Sequence, residues 1–179
     1  MKKTIVLKRT FPIRVGVYNS ADGYLRALNE YGMRVTSKVV DLLGDERQDR
    51  KFFRQAHEDV TLGDVSVDEL GLPNNALYGD ILFEGMGRRV IWQGKMFVLS
   101  KALPEDGLEL RLTYKTQPKD EWLRIAMDGV EHPMGNKMIL MVVHGQNGIL
   151  YLDTDDGGDP DDPFDDHVRF IWRLIPQAS

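Results

Sequence analysis

The sequence contains no cysteine, which excludes disulfide bonds and thiolate metal sites and is typical of proteins in reducing compartments. Long apolar runs are also missing. The longest, residues 138–143, is far shorter than the ~20 residues of a membrane-spanning helix. The run at residues 4–7 ends at Lys8, short of the roughly 7–15 residues of a secretory signal core. We therefore expect a cytoplasmic protein without membrane association.

Motifs for nucleophilic or metal catalysis are absent as well. The sequence has no Gly-x-Ser-x-Gly elbow and no pair of histidines at the spacing of a helical zinc site. The segment Gly85-Met86-Gly87-Arg88-Arg89 is rich in glycine and basic residues, but it lacks the Lys-Ser/Thr ending and the following helix of a phosphate-binding loop. A tight turn explains its glycines more simply. These absences favour binding over catalysis.

Negative charge is concentrated in one segment. Residues 153–166 contain eight aspartates and no Lys or Arg, and removing these eight from the 28 acidic residues leaves 20 against 23 basic ones. The rest of the chain is therefore mildly cationic. Its basic residues cluster in the first strand and around Arg88, Arg89 and Lys95. With a pI near 5.4 we interpret both clusters as solvated strand faces and do not expect nucleic-acid binding.

The first third of the sequence predicts strands followed by helices. Apolar residues at odd positions from Ile5 to Val17 indicate a strand or strand pair, with Pro12 at an edge or bend. Asn19 or Ser20 can cap a helix that ends at Gly32. A second helical stretch is expected within 36–58, including a charged piece at 45–57. Residues 60–78 read as irregular, with a capping-box turn at Ser66–Glu69.

Strands dominate the prediction from Gly79 onward. A short helix is expected at 120–127, tight hairpin turns at Gln93-Gly94 and 144–148, and the three tryptophans in the core. The predicted strands are 81–84, 89–92, 95–100, 108–115, 137–143, 149–153 and 168–174. The fold class is therefore α+β, with a mixed, mainly antiparallel sheet, helices concentrated in the N-terminal third and a strand-rich C-terminal half. We expect a single domain over 1–179, with a subdivision near 60–78 as the alternative.

The aspartate-rich segment admits three interpretations. Its spacing fails the EF-hand pattern, yet a looser divalent cation site, such as one for calcium, is an alternative that would use Asp153, Asp155 and Asp159. A solvated loop, with Arg169 and Arg173 neutralising it, is the plainest interpretation. The third is a contact surface for a basic partner, formed by the carboxylates of residues Asp155, Asp156, Asp159, Asp161 and Asp162.

Two histidines add one further alternative. His144 opens a hairpin turn and His167 precedes the last strand, so both would meet an aspartate if those strands were neighbours. Such a cluster would suit a metal-dependent enzyme or a calcium-stabilised module.

Our leading hypothesis is a non-catalytic interaction protein, namely an assembly component, an adaptor or a small inhibitor. It would use the acidic loop and the N-terminal edge strand as contact surfaces. The expected partner is a protein with a basic surface, or a second copy of the chain.

Overall fold

The computed structural model describes residues 3–48, 52–53 and 56–177. The helices within these residues are α1 (Ala21–Glu30), α2 (Ser37–Leu43), α3 (Tyr78–Gly85) and α4 (Pro104–Thr113). The strands are β1 (Ile5–Val6), β2 (Thr10–Val15), β3 (Arg34–Val35), β4 (Glu58–Ser66), β5 (Ala76–Leu77), β6 (Arg89–Trp92), β7 (Lys95–Ser100), β8 (Trp122–Ile125), β9 (Val130–Glu131), β10 (Lys137–His144), β11 (Leu150–Asp155), β12 (Pro163–Phe164) and β13 (Arg169–Pro176). None of the helices in the described ranges is long and apolar enough to cross a membrane.

Strand β13 lies at the centre of one large sheet. The strands follow the order β1-β6-β7-β13-β8-β10-β11-β3, while β4 pairs with β13 and carries β2 on its other side. The first half of β13 runs between antiparallel β4 and parallel β8, and its second half pairs with β7. Residues 170–172 are fully buried on both faces of the sheet. A strand enclosed in this way is apolar at consecutive positions.

The predicted fold class is confirmed. The chain is α+β, and parallel pairing is limited to β1 with β6, β3 with β11 and β8 with β13 among the larger sheet's described pairs. The helices are less concentrated at the N-terminus than expected, because α3 and α4 follow residue 77.

In the first third of the chain, β1, β2 and α1 form where the sequence predicts them. Ile5, Phe11 and Ile13 are buried by the alternation expected of β1 and β2. The Ser20 hydroxyl caps α1 by accepting from the Gly23 amide at 3.2 Å, and Gly32 leaves the helix with φ +71°. These predictions are confirmed.

Both hairpins are confirmed. Strands β6 and β7 are joined by Gln93 and Gly94, whose φ angles of +48° and +75° suit the primed turn that matches the twist of a two-residue hairpin. Strands β10 and β11 pair antiparallel around the turn at 145–149. The turn after β4 also follows prediction, since the Ser66 amide donates to Glu69 Oε2 at 2.9 Å.

The strand predicted at 108–115 is wrong, because residues 104–113 form helix α4. Pro104 stands at the first helical turn, and Asp106 accepts a hydrogen bond from the Leu103 amide at 2.7 Å, as a capping residue does. Every residue from Pro104 to Leu112 is buried, since α4 is packed against β2, β8, β10, β11 and α1. A helix enclosed on all sides needs no polar face, so its alternating leucines imitated a strand.

Three shorter predictions are also wrong. The helix expected at 120–127 is strand β8, the strand expected at 81–84 lies in α3, and the irregular stretch at 60–78 contains most of β4. Short apolar runs occur in both helices and strands, so their pattern alone does not distinguish the two. Gly63 and Asp64 are residue types that are common in turns, so the sequence did not indicate a strand at β4. In the structure both residues are buried in the sheet. Of the charged helix expected at 45–57, a 3₁₀ turn covers Glu46–Gln48, whereas 49–51 and 54–55 lie outside the described residues.

Helix α3 contacts β13 at Gly85, which lies against the side chain of Trp172. A Cβ atom added to Gly85 would overlap the six-membered ring of the Trp172 indole, which is fully buried. We predict that Gly85→Ala lowers the free energy of unfolding by about 1–3 kcal/mol, measured by urea denaturation. Trp172→Phe shortens the ring, so Gly85→Ala should cost less in that background. An equal cost in both backgrounds would contradict this packing.

Candidate protein-binding surface

A groove of about 450 Å³ opens where β8 and β13 begin. The two strands are parallel neighbours, so the residues that precede each of them meet at the same edge of the sheet. Residues 120–122 and Arg124 line the groove from the β8 side, and residues 165 and 167–169 line it from the β13 side.

Trp122 is the large aromatic side chain of this groove. Its residue is 51% exposed, whereas Trp172 is fully buried, so the expectation that all three tryptophans lie in the core is wrong. In β8 the residues alternate, with Leu123 and Ile125 buried and Trp122 on the opposite face. The period-two pattern Trp-Leu-Arg-Ile was the signal for this arrangement, but we interpreted it as the inner face of a helix.

A network of ion pairs lies beneath the groove. Asp64 of β4, which is only 2% exposed, accepts from Arg169 Nε at 2.6 Å and from Arg9 Nη2 at 2.9 Å. Arg9 Nη2 also lies 2.6 Å from Glu121 Oε1, and Arg169 Nη2 donates to Glu69 Oε2 at 3.1 Å. Two of the charged residues that line the groove, Glu121 and Arg169, are therefore neutralised by the chain itself.

The third neutralised lining residue is Arg124. Its Nε donates to Asp155 Oδ2 at 2.6 Å, and its guanidinium carbon lies 5.5 Å from the centre of the Phe164 ring. By contrast, the side chains of Asp120 and Asp165 are exposed and have no hydrogen bond or ion pair within the described part of the chain. The groove therefore presents an aromatic surface beside unpaired carboxylates.

The three aspartates predicted as metal ligands point to different partners. Asp153 accepts from the Thr36 hydroxyl at 2.8 Å, Asp155 pairs with Arg124, and Asp159 Oδ1 lies 3.1 Å from Lys137 Nζ. No group of three His, Cys, Asp or Glu side chains suited to a metal ion occurs among the residues that the structure describes.

The other aspartates predicted as partner contacts differ in their availability. Asp156 pairs with Lys38 at 2.8 Å, and Asp162 accepts from the Asp159 amide at 2.7 Å. Asp161 is exposed, and its carboxylate has no partner in the described ranges. The Asp156–Lys38 and Asp159–Lys137 pairs are about half exposed, so each contributes little to stability.

The predicted neutralisation of the acidic loop by Arg169 and Arg173 is wrong. Arg169 pairs with Asp64 and Glu69, and Arg173 donates to both oxygens of Asp106 at 2.6 Å. Both arginines are instead paired with carboxylates that lie near β13 in the fold, Asp64 on the neighbouring strand β4 and Asp106 at the start of α4.

The two histidines do not come together around one site. His167 lies in the groove with its side chain 78% exposed, and its Nδ1 is 3.7 Å from Asp166 Oδ1. His144 Nδ1 lies 2.5 Å from the Gln117 carbonyl oxygen, and the residue does not line the groove. The backbone of His144 contacts the groove through its carbonyl, which accepts a hydrogen bond from the amide of the lining residue Asp120 at 2.8 Å.

A buried pair of carboxyl groups on α4 was missed by sequence reasoning. The Tyr24 hydroxyl lies 2.8 Å from Glu109 Oε1 and 3.0 Å from Glu105 Oε1. One hydroxyl proton serves only one of these contacts, so the other requires a protonated carboxyl group. The Gly16 amide donates to Glu105 at 2.8 Å and favours its ionised form, which places the proton on Glu109.

The environment of Glu109 agrees with this assignment. Burial raises the pKa of Glu109 to about 7, and the charge of Glu105 acts in the same direction, while the hydrogen bond from Tyr24 opposes it. The titratable groups that face Glu109 in the described residues are Tyr24, Glu105 and Tyr18. Because Glu109 is only 4% exposed and does not line the groove, we assign it a structural role.

We predict that Glu109 makes the stability of the protein pH-dependent. The folded state holds this proton more tightly than the unfolded state, whose pKa is near 4.5. The contribution is therefore fully present below pH 4.5 and declines by about 3 kcal/mol as the pH rises to 7. Glu109→Gln should remove this decline in urea titrations between pH 4.5 and 8. The same slope in both proteins would contradict the assignment.

No protein family, no curated protein and no solved structure matches this chain.

Proposed function

We propose that this protein is a non-catalytic interaction protein, an assembly component, adaptor or small inhibitor, that binds a basic protein surface through the groove at Trp122. The observation that carries the proposal is the half-exposed indole of Trp122 beside the exposed carboxylates of Asp120 and Asp165, which have no partner among the described residues. Aromatic side chains of this kind anchor protein interfaces.

The charges of the groove define the kind of partner. A guanidinium or ammonium group can lie over the Trp122 ring and at the same time approach Asp120 or Asp165. The lining residues Glu121, Arg124 and Arg169 are held by internal ion pairs, so a partner need not rearrange them. Exposed Asp166, between the lining residues Asp165 and His167, extends the negative potential beside the groove and would accelerate association.

The N-terminal edge strand contributes less to the proposal. Within the described residues β2 pairs on one side only, with β4. However, Pro12 cannot donate to a new strand, and the side chain of Arg14 is 64% exposed. Proline and charge on an edge are features that oppose strand addition. The groove is therefore the better-supported contact surface.

The proposal predicts that a short arginine-rich peptide binds the groove. Titration of the peptide should change the fluorescence of Trp122, and the affinity should fall as salt is raised. Asp120→Asn/Asp165→Asn should weaken binding about tenfold, and Trp122→Ala should weaken it by a similar factor. Calorimetry is the measurement for Trp122→Ala, because Trp92 and Trp172 are the remaining tryptophans of that variant and do not line the groove.

The matched control is Asp156→Asn/Asp159→Asn, which removes the same charge from carboxylates paired with Lys38 and Lys137. It should change the affinity less than about twofold. Equal weakening by both double variants would attribute binding to net charge alone. Absence of saturable binding by the parent protein would remove the proposal.

A further inference from the structure

A second pocket, of about 400 Å³, lies where β1 and β6 begin and shares no lining residue with the groove. These strands are parallel neighbours, with Ile5 opposite Val90. The residues that precede them, Lys3 and Thr4 on one side and residues 86–88 on the other, therefore line one site together with Arg89. Two basic sequence clusters that are far apart in the chain meet here.

The cations of this pocket differ from most others in the chain. Lys3, Arg88 and Arg89 have no ion pair within the described ranges, and Glu84 is the one carboxylate among the lining residues. Most remaining arginines and lysines of the described residues either form ion pairs or, like Lys115, lie over an aromatic ring. In a chain of net charge −5, three unpaired cations around one cavity constitute a local excess of positive charge.

One hydrogen-bond donor at the pocket also has no acceptor. The Nε atom of Arg88 is buried and has no hydrogen-bond partner in the described residues. A buried donor of this kind costs free energy unless an acceptor reaches it, and the oxygen of an anionic ligand is such an acceptor. The backbone amides of Gly87 and Arg88 already donate to Leu99 and Gly85. Side chains, and not a backbone nest, must therefore provide recognition.

We infer that this pocket binds the phosphate group of a small phosphorylated molecule. Two guanidinium groups offer paired donors that match the oxygens of a phosphate, while Lys3 adds a point charge and Thr4 a hydroxyl. Met86, which is 52% exposed, supplies an apolar contact for the rest of the ligand. The cavity has the size of small-molecule sites, which span roughly 300–1,000 Å³. A nucleic acid is disfavoured, because the net charge of −5, which the aspartate-rich segment at 153–166 produces, would repel an extended polyanion.

The test uses inorganic pyrophosphate as the probe, titrated into the full-length protein at constant ionic strength and followed by calorimetry. Saturable binding is expected, and Arg88→Gln/Arg89→Gln should weaken it at least about tenfold. The matched control, Arg26→Gln/Arg34→Gln, removes two exposed cations from α1 and β3 and should leave the affinity within about twofold. Circular dichroism of both variants checks that they fold.

Three results would overturn the inference. The first is heat that does not saturate or that sodium chloride reproduces at equal ionic strength. The second is an equal loss of affinity in the two double variants. The third is binding of a single-stranded oligonucleotide, lost in Arg88→Gln/Arg89→Gln, without binding of pyrophosphate. Loss of peptide binding at Trp122 would not bear on this pocket.

Discussion

The ion pair between Arg173 and Asp106 joins the two central elements of the fold. Both donors of one edge of the guanidinium lie 2.6 Å from the two carboxylate oxygens, and Asp106 also caps the start of α4. Asp106 is fully buried and Arg173 nearly so. A buried pair of this geometry contributes little net stability but is costly to break, so it restricts α4 to one position on β13.

The other charged side chains of α4 are buried as well, and each has a hydrogen-bond partner inside the protein. The Tyr24 hydroxyl joins Glu105 to a protonated Glu109, and Arg111 at the helix C-terminus donates to the Tyr114 carbonyl and to Gln117. Burial lowers the pKa of Arg111 to about 10, so this cation persists at neutral pH, where the helix dipole and the carbonyl oxygens stabilise it. The charges that remain available for recognition lie at the surface. They are in the groove where β8 and β13 begin and in the second pocket, where β1 and β6 begin.

Sequence patterns predicted several of the elements that have one face in solvent, although not α3 or β8. The helix α1, both hairpins and the alternation of β1 and β2 follow from periodicity and turn residues. Helix α4 and strand β4 could not be predicted from periodicity, because α4 and the second half of β4 are buried at consecutive positions and include charged residues whose partners are remote in sequence. Asp64 is paired with arginines 55 and 105 residues away, a relation that only the tertiary structure reveals.

None of the five aspartates predicted as partner contacts lines the groove. Of the acidic segment at 153–166, Asp165 is the lining residue, and His167, which was expected in a metal or acid/base cluster, lies next to it. The sequence did not reveal which carboxylates are paired internally, since Lys38, Arg124 and Lys137 reach the segment from other elements. Trp122 lies at the surface and not in the predicted core, because residues 122–125 form a strand whose alternate side chains face opposite sides of the sheet.

A double-mutant cycle on Arg173 and Asp106 tests most directly whether internal pairing of charge organises the protein. The variants Arg173→Met, Asp106→Asn and their combination would be unfolded with urea at pH 7. Each single change should cost about 3–5 kcal/mol, and the double variant should cost less than their sum by at least about 2 kcal/mol. Additive costs would show that the two side chains are not coupled and would contradict this account.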